Sequence, residues 1–213
     1  LQTIVTTDGK SYDKELVTID YDHIPYQSVL LPSEAKIAKI DIQKKGQNIG
    51  YINGAGDAIP ESLKQIGYSI TTIEPSNISA ENVQHFDAIV IGIRAYNTVP
   101  ELAFAQTALN KYVENGGTII VQYNTSRGLV TENIAPYELK LSRDRVTDEF
   151  SEVRILAPQN PILNTPNKIT QKDFEGWVQE RGLYFPDEWA KEFTPILGMN
   201  DKDEAQTKGS LLV

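Results

Sequence analysis

The run Asp87-Ala88-Ile89-Val90-Ile91-Gly92-Ile93 constrains the fold more than any other stretch of the chain. It is apolar without alternation, as in a strand buried on both faces, and such strands belong to parallel sheets covered by helices. Its neighbours fit that setting. Asn48-Ile49-Gly50-Tyr51-Ile52 is a short apolar run ending in Gly54-Ala55-Gly56-Asp57. A helix over 60–66 follows, with Pro60 in its first turn and Gly67 at its C-terminal cap. Ser69–Ile73 reads as a second strand, 76–86 as a short crossover, and 100–115 as a helix with Leu102, Leu109, Tyr112 and Val113 on one face. Asn115-Gly116-Gly117 ends that helix and Thr118–Tyr123 is the fourth strand. This order predicts an α/β, flavodoxin-like parallel sheet with helices on both faces. Ligands of such sheets sit outside the carboxyl ends of the strands. Three loops therefore matter: Gly54–Asp57, Arg94–Thr98 and Tyr123–Gly128.

The flanks read differently. Thr3–Thr7 and Leu16–Ile19 are β-rich, with the hairpin signal Asp8-Gly9 between them. His23–Gln27 and Leu31-Pro32 break the regularity, and Lys36–Ile42 alternates at period two like a half-exposed strand. We read 1–43 as an N-terminal β arm, either the tail of a preceding β-domain or an extension of the main one, and 44–213 as the α/β domain, cut short at its C-terminus. The chain begins at Leu1 and stops in Ser210-Leu211-Leu212-Val213, which suggests a piece of something longer. In the second half Tyr137–Leu141, Val153–Leu156, Pro195–Leu197 and Leu211–Val213 are strand candidates, and Pro158, Pro161 and Pro166 mark a long loop.

Composition removes several function classes. The 213 residues contain no Cys and two His, His23 and His85. That excludes a disulfide scaffold, a Cys nucleophile and a Cys-type zinc site, and argues against a His-based metal site. A net charge of −9 argues against a nucleic-acid backbone binder. No run of about 18 apolar residues exists to span a membrane. No cofactor is expected.

Each chemical candidate has a bland counterpart. Gly54 and Gly56 form a fragment of a dinucleotide motif, but Ile59 stands where the third glycine belongs and Asp57 puts a carboxylate where a phosphate would sit. The alternative is a tight turn with Asp57 as helix N-cap. Asn124–Gly128 is similar to a nucleophile elbow around Ser126, yet His23 lies in the arm and His85 at the amino end of the sheet. Arg143, Arg145, Asp148 and Glu149 form either an anion or sugar site or a surface ion-pair cluster. Glu175, Trp177, Glu180, Arg181 and Tyr184 form a sugar-like aromatic–carboxylate stretch or core. Asp201-Lys202-Asp203-Glu204 lacks the glycine of a calcium loop and reads as a solvated loop.

Several segments together resemble a known arrangement. They are Gly50–Asp57, Asp87–Asn97, Asn115–Thr118, Leu141–Glu149 and Phe174–Phe185. They look like the C-terminal region of long bacterial PIG-L (LmbE-like) deacetylase proteins, in which a zinc-dependent N-acetylglucosaminyl deacetylase-type domain is followed by a β-rich segment and a class I glutamine amidotransferase-like domain. The resemblance spans roughly two-thirds of the chain. The deacetylase's zinc motif is absent here. Tyr123 stands about where the amidotransferase nucleophile would be, and a phenol cannot replace a thiolate there, so a glutaminase mechanism is excluded. A looser similarity to ThuA-like proteins involves Asn160-Pro161 and Glu180–Tyr184, with Asn160 in place of that family's His.

The resemblance implies a non-catalytic accessory domain that binds carbohydrate or shapes the cleft of the deacetylase domain in the same polypeptide. Long members of that family often carry export signals, which points to a periplasmic or secreted location. In this reading Asp57, Asn97 and Asn124 bond sugar hydroxyls, on a turn built by Gly54 and Gly56. Arg94 and Arg143 hold an anionic group, Tyr96 and Trp177 offer ring faces, and Tyr123 stands at a strand end in the crevice. The alternatives are an independent hydrolase using Ser126 or a carboxylate pair, and a purely structural module.

Overall fold

The computed structural model describes residues 1–35, 37, 41–176 and 182–213. The chain divides into two compact units, Leu1–Asp41 and Ile42–Val213.

In the first unit, β1 (Val5–Thr7) and β2 (Lys10–Tyr12) form a hairpin. Its turn residues Asp8 and Gly9 both have positive φ, 49° and 74°, as a two-residue hairpin loop of this hand requires. The expected partner of the first strand, Leu16–Ile19, belongs instead to β3 (Lys14–Ile19), which pairs in register with β4 (Gln27–Pro32). Leu31 and Pro32 therefore do not break the strand. Pro32 occupies the last pair of the ladder, opposite Lys14, where a missing N–H costs little. The strand expected over Lys36–Ile42 falls largely outside the described residues.

The second unit carries the predicted sheet. Its strands β5 (Asn48–Ile52), β6 (Ser69–Thr72), β7 (Ala88–Ile91) and β8 (Ile119–Val121) are all parallel, in the order β6-β5-β7-β8. Second, first, third, fourth is the flavodoxin-like doubly wound order. Helix α1 (Ile59–Gln65) ends in a paired cap: Gly67, with φ 93°, donates to the Lys64 carbonyl and Tyr68 to that of Leu63. Helix α2 (Ala80–Val83) is capped by the Ser79 side chain, and α3 (Ala95–Thr98) and α4 (Leu102–Glu114) follow β7. Both faces of the sheet are covered. Ile52, Ile89 and Ile91 pack against Val83, Leu102 and Leu109, whereas Ile49, Tyr51 and Val90 pack against Leu63 of α1. Strand alternation puts these sets on opposite faces.

Beyond β8 the chain makes short antiparallel pieces. These are β9 (Leu139–Leu141), β10 (Arg145–Val146), β11 (Arg154–Ile155), β12 (Gly182–Leu183), β13 (Pro186–Trp189), β14 (Pro195–Gly198) and β15 (Leu211–Leu212). Val146, Val153, Leu163, Phe185, Ile196 and Met199 give this half its own core. Strand β13 has no counterpart in the sequence reading, since Pro186-Asp187-Glu188-Trp189 lacks a strand pattern; its pairing with β9 creates it.

Candidate functional site

At the carboxyl ends of the strands the polar side chains point inward to one another. Asp57 Oδ2 accepts from the Tyr51 hydroxyl at 2.5 Å and from the Ile93 N–H at 3.3 Å, while Oδ1 accepts from the Ile59 N–H at 2.9 Å. Gln122 donates to the Tyr51 oxygen at 3.1 Å, so β5, the loop after β7 and the end of β8 meet in one network. Burial pushes the Asp57 carboxyl up, but the hydrogen bonds from Tyr51, Ile59 and Ile93 outweigh it and hold it below the usual range. Burial and the adjacent Asp57 drive the Tyr51 phenol well above its usual value. Asp57 thus latches the strand ends together, and the residue in the N-cap position is Ala58.

Gly54 belongs to the same latch. A Cβ there would stand 2.1 Å from the Ile93 carbonyl oxygen and 2.8 Å from the Ala95 nitrogen, so its bareness admits the neighbouring loop and not a ligand. Gly56 faces open space with φ 101°.

The Arg94–Thr98 segment is one helical turn rather than a loop. Arg94 enters it with φ 56°, left-handed for a residue with a Cβ, and donates its N–H to the Tyr123 carbonyl at 2.8 Å. Its Nε is buried with no hydrogen-bond partner among the described residues. Tyr96 is 1% exposed and its hydroxyl donates to Gln106 Oε1 at 2.6 Å; burial holds its phenol well above the usual range, and the residue belongs to the core while bordering the cavity beside β8. Asn97 donates to the carbonyls of Thr125 and Arg127 at 3.1 Å each and accepts from the Thr125 N–H at 2.9 Å. Asn124, 2% exposed, accepts from the Tyr96 N–H and donates to the Gln122 carbonyl. Both asparagines hold the loop after β8 through these internal hydrogen bonds, and Asn124 also lines the cavity beside β8. Ser126 has no hydrogen-bond partner among the described residues, and His85 lies before the amino end of β7, its ring 4.1 Å from that of Phe86 and tilted by 39°.

The open space lies beside β8. A cavity of about 820 Å³ runs along this edge strand, with Gln122, Tyr123, Tyr184, Phe193 and Ser210 among its walls. Tyr123 is 41% exposed, and the Ser210 hydroxyl is buried without a partner among the described residues. Arg143 does not join Arg94; it lines a separate cavity with Arg145, Asn200 and residues 204–207. Trp177 lies outside the described residues. Asp201 is not merely solvated: Thr147 and Asp148 donate their N–H groups to it, and Ser151 its hydroxyl, which holds its carboxyl down at about 2. Among the described residues no group of three His, Asp or Glu side chains is placed to hold a metal. No helix among them is long and apolar enough to cross a membrane.

Sequence reasoning missed Tyr51, Gln122, Phe193 and Ser210. Gln122 was findable as the one polar residue closing an apolar strand; Ser210 and Phe193 carry no local signal.

No protein-family model matches the chain, and no curated protein does. Among solved structures it is similar to a GMP synthase-type protein from Thermoplasma acidophilum, at 10% identity and TM-score 0.45, covering 78% of this chain and 80% of that one. It is also similar to a ThuA-like protein from Bacteroides uniformis, at 12% identity and TM-score 0.45, covering 78% and 72%. Likeness at this level concerns the fold alone. The α/β, flavodoxin-like class rests on the strand order itself.

Proposed function

We propose that this chain is a non-catalytic, class I glutamine amidotransferase-like accessory unit of a PIG-L/LmbE-type deacetylase protein, and that it binds carbohydrate in the cavity beside β8. The observation that carries this is a division of labour. The strand-end groups that could do chemistry, Asp57, Asn97 and Asn124, are consumed in internal hydrogen bonds. The cavity beside them keeps aromatic rings, Tyr123, Tyr184 and Phe193, together with the Ser210 hydroxyl, which has no partner among the described residues. Ring faces stack on the apolar face of a pyranose while hydroxyl and amide groups meet its edges, and a largely apolar cleft with a few polar groups is the usual form of a small-molecule site. The absence of a cysteine at Tyr123 accords with binding without turnover.

The test is a thermal-shift titration of the whole chain with N-acetylglucosamine and glucosamine. Saturable stabilisation that Tyr123→Ala abolishes is expected. No shift with either sugar would leave the cavity without this role and favour a purely structural unit.

A further inference from the structure

We propose a second site: the cavity of about 410 Å³ walled by Arg143, Arg145 and residues 204–207 binds an acidic sugar, a ring with one carboxylate and several hydroxyls. This goes beyond the accessory-domain reading and uses none of the residues beside β8. Arg145 opens β10, which pairs with β12, and Val146 after it is fully buried in the second core. Arg143 and Asp144 precede β10 in irregular backbone, where the Asp144 N–H bonds Ser142 Oγ at 2.8 Å. Arg143 and Arg145 both line the cavity.

Among the described residues neither guanidinium has a hydrogen bond or ion pair. The ion pairs there are Lys111–Glu114 and Lys140–Glu188, both elsewhere. The facing wall is already built. Arg154 donates to Asn200 Oδ1 at 2.5 Å, the Thr207 hydroxyl donates to the Met199 carbonyl at 2.7 Å, and the N–H groups of Thr147 and Asp148 fasten Asp201.

The charges select the ligand class. Asp144 and Glu204 also line the cavity, so two cations face two carboxylates and the site is close to neutral. A bare anion such as sulfate gains little net attraction there. A sugar acid satisfies both halves: its carboxylate takes the arginine pair, whose forked donors match it, and its hydroxyls donate to Asp144 and Glu204. The volume lies in the lower part of the roughly 300–1,000 Å³ range of ligand pockets.

The probes are sodium glucuronate, methyl glucoside and sodium sulfate at constant ionic strength, titrated calorimetrically into the whole chain. Glucuronate binds saturably, at least ~10-fold more tightly than either other probe, and Arg143→Gln and Arg145→Gln each weaken it ~10-fold or more. Both positions are exposed, so the variants fold, as circular dichroism checks. Absent glucuronate binding overturns the proposal. So does equal binding of sulfate, the mark of a plain anion patch, or binding indifferent to both substitutions. Tyr123→Ala leaves glucuronate binding unchanged, so failure here and failure of the cavity beside β8 are read separately.

Discussion

Asn97→Ala separates a structural clamp from a ligand contact. The side chain makes three hydrogen bonds to the loop after β8: two donated, to the Thr125 and Arg127 carbonyls, and one accepted from the Thr125 N–H. At a net ~1 kcal/mol each the loss is ~3 kcal/mol. Water replaces the partner at the exposed Arg127 end, which reduces it to ~2 kcal/mol. For a unit of this size that lowers the melting temperature by about 4–8 °C. Asn97→Asp is a sharper version. It keeps the acceptor for Thr125 but turns its second oxygen toward two carbonyls, so the carboxylate is destabilised in the folded state and its pKa rises. At neutral pH it therefore costs more than Asn97→Ala, and the deficit narrows as pH falls through the raised folded pKa and has closed by about 4, the unfolded value. Urea unfolding at pH 7 and pH 4 measures both effects. An Asn97→Ala protein with unchanged stability that had lost N-acetylglucosamine binding would refute the clamp and restore Asn97 as a sugar contact.

Tyr51→Phe removes the short hydrogen bond to Asp57 and costs ~1–2 kcal/mol at neutral pH. Because the folded Asp57 pKa is depressed, that stabilisation is present above its unfolded value and fades as pH falls through the folded one, so acid titration of both proteins should converge there. Gly54→Ala forces a Cβ to 2.1 Å from the Ile93 carbonyl and should prevent folding or cost several kcal/mol, whereas Gly56→Ala, in open space at φ 101°, costs ~1 kcal/mol; expression and chemical denaturation distinguish them. Asp201→Asn should remove a carboxyl held at about 2 that stabilises above its ordinary pKa and is lost as pH falls toward that value; after solvent screening the effect is ~1 kcal/mol, read from unfolding at pH 6 and pH 2. Leu109→Ala, in a fully buried site under the sheet, should cost ~2–5 kcal/mol by calorimetry.

The parallel sheet was legible because each of its strands is specified locally: β7 by an unbroken apolar run, α1 by Pro60 at its start and Gly67 at its end. The second half was less so. Strand β13 exists through its pairing with β9, and no periodicity in its four residues announces that. The site loops were found, since the topology fixes which strand ends converge. The internal hydrogen bonds of their side chains were not legible, for a physical reason. Asp57, Asn97 and Asn124 at strand ends look available in sequence, but an irregular loop leaves backbone N–H and C=O groups needing partners, and these short polar side chains supply them. Several of the partners, Tyr96, Thr125 and Ile93, lie 28 to 36 residues away, where no local pattern reaches. Charge alone groups Arg143 with Arg94, and the fold assigns it to another cavity.

Residue-level nuclear magnetic resonance of the whole chain titrated with N-acetylglucosamine tests the central claim most directly. The account predicts saturable shifts at Gln122, Tyr123, Tyr184 and Ser210 beside β8, with the Asp57 and Asn97 side chains undisturbed. Shifts centred on Asp57 and Asn97, or no saturable change anywhere, would contradict it.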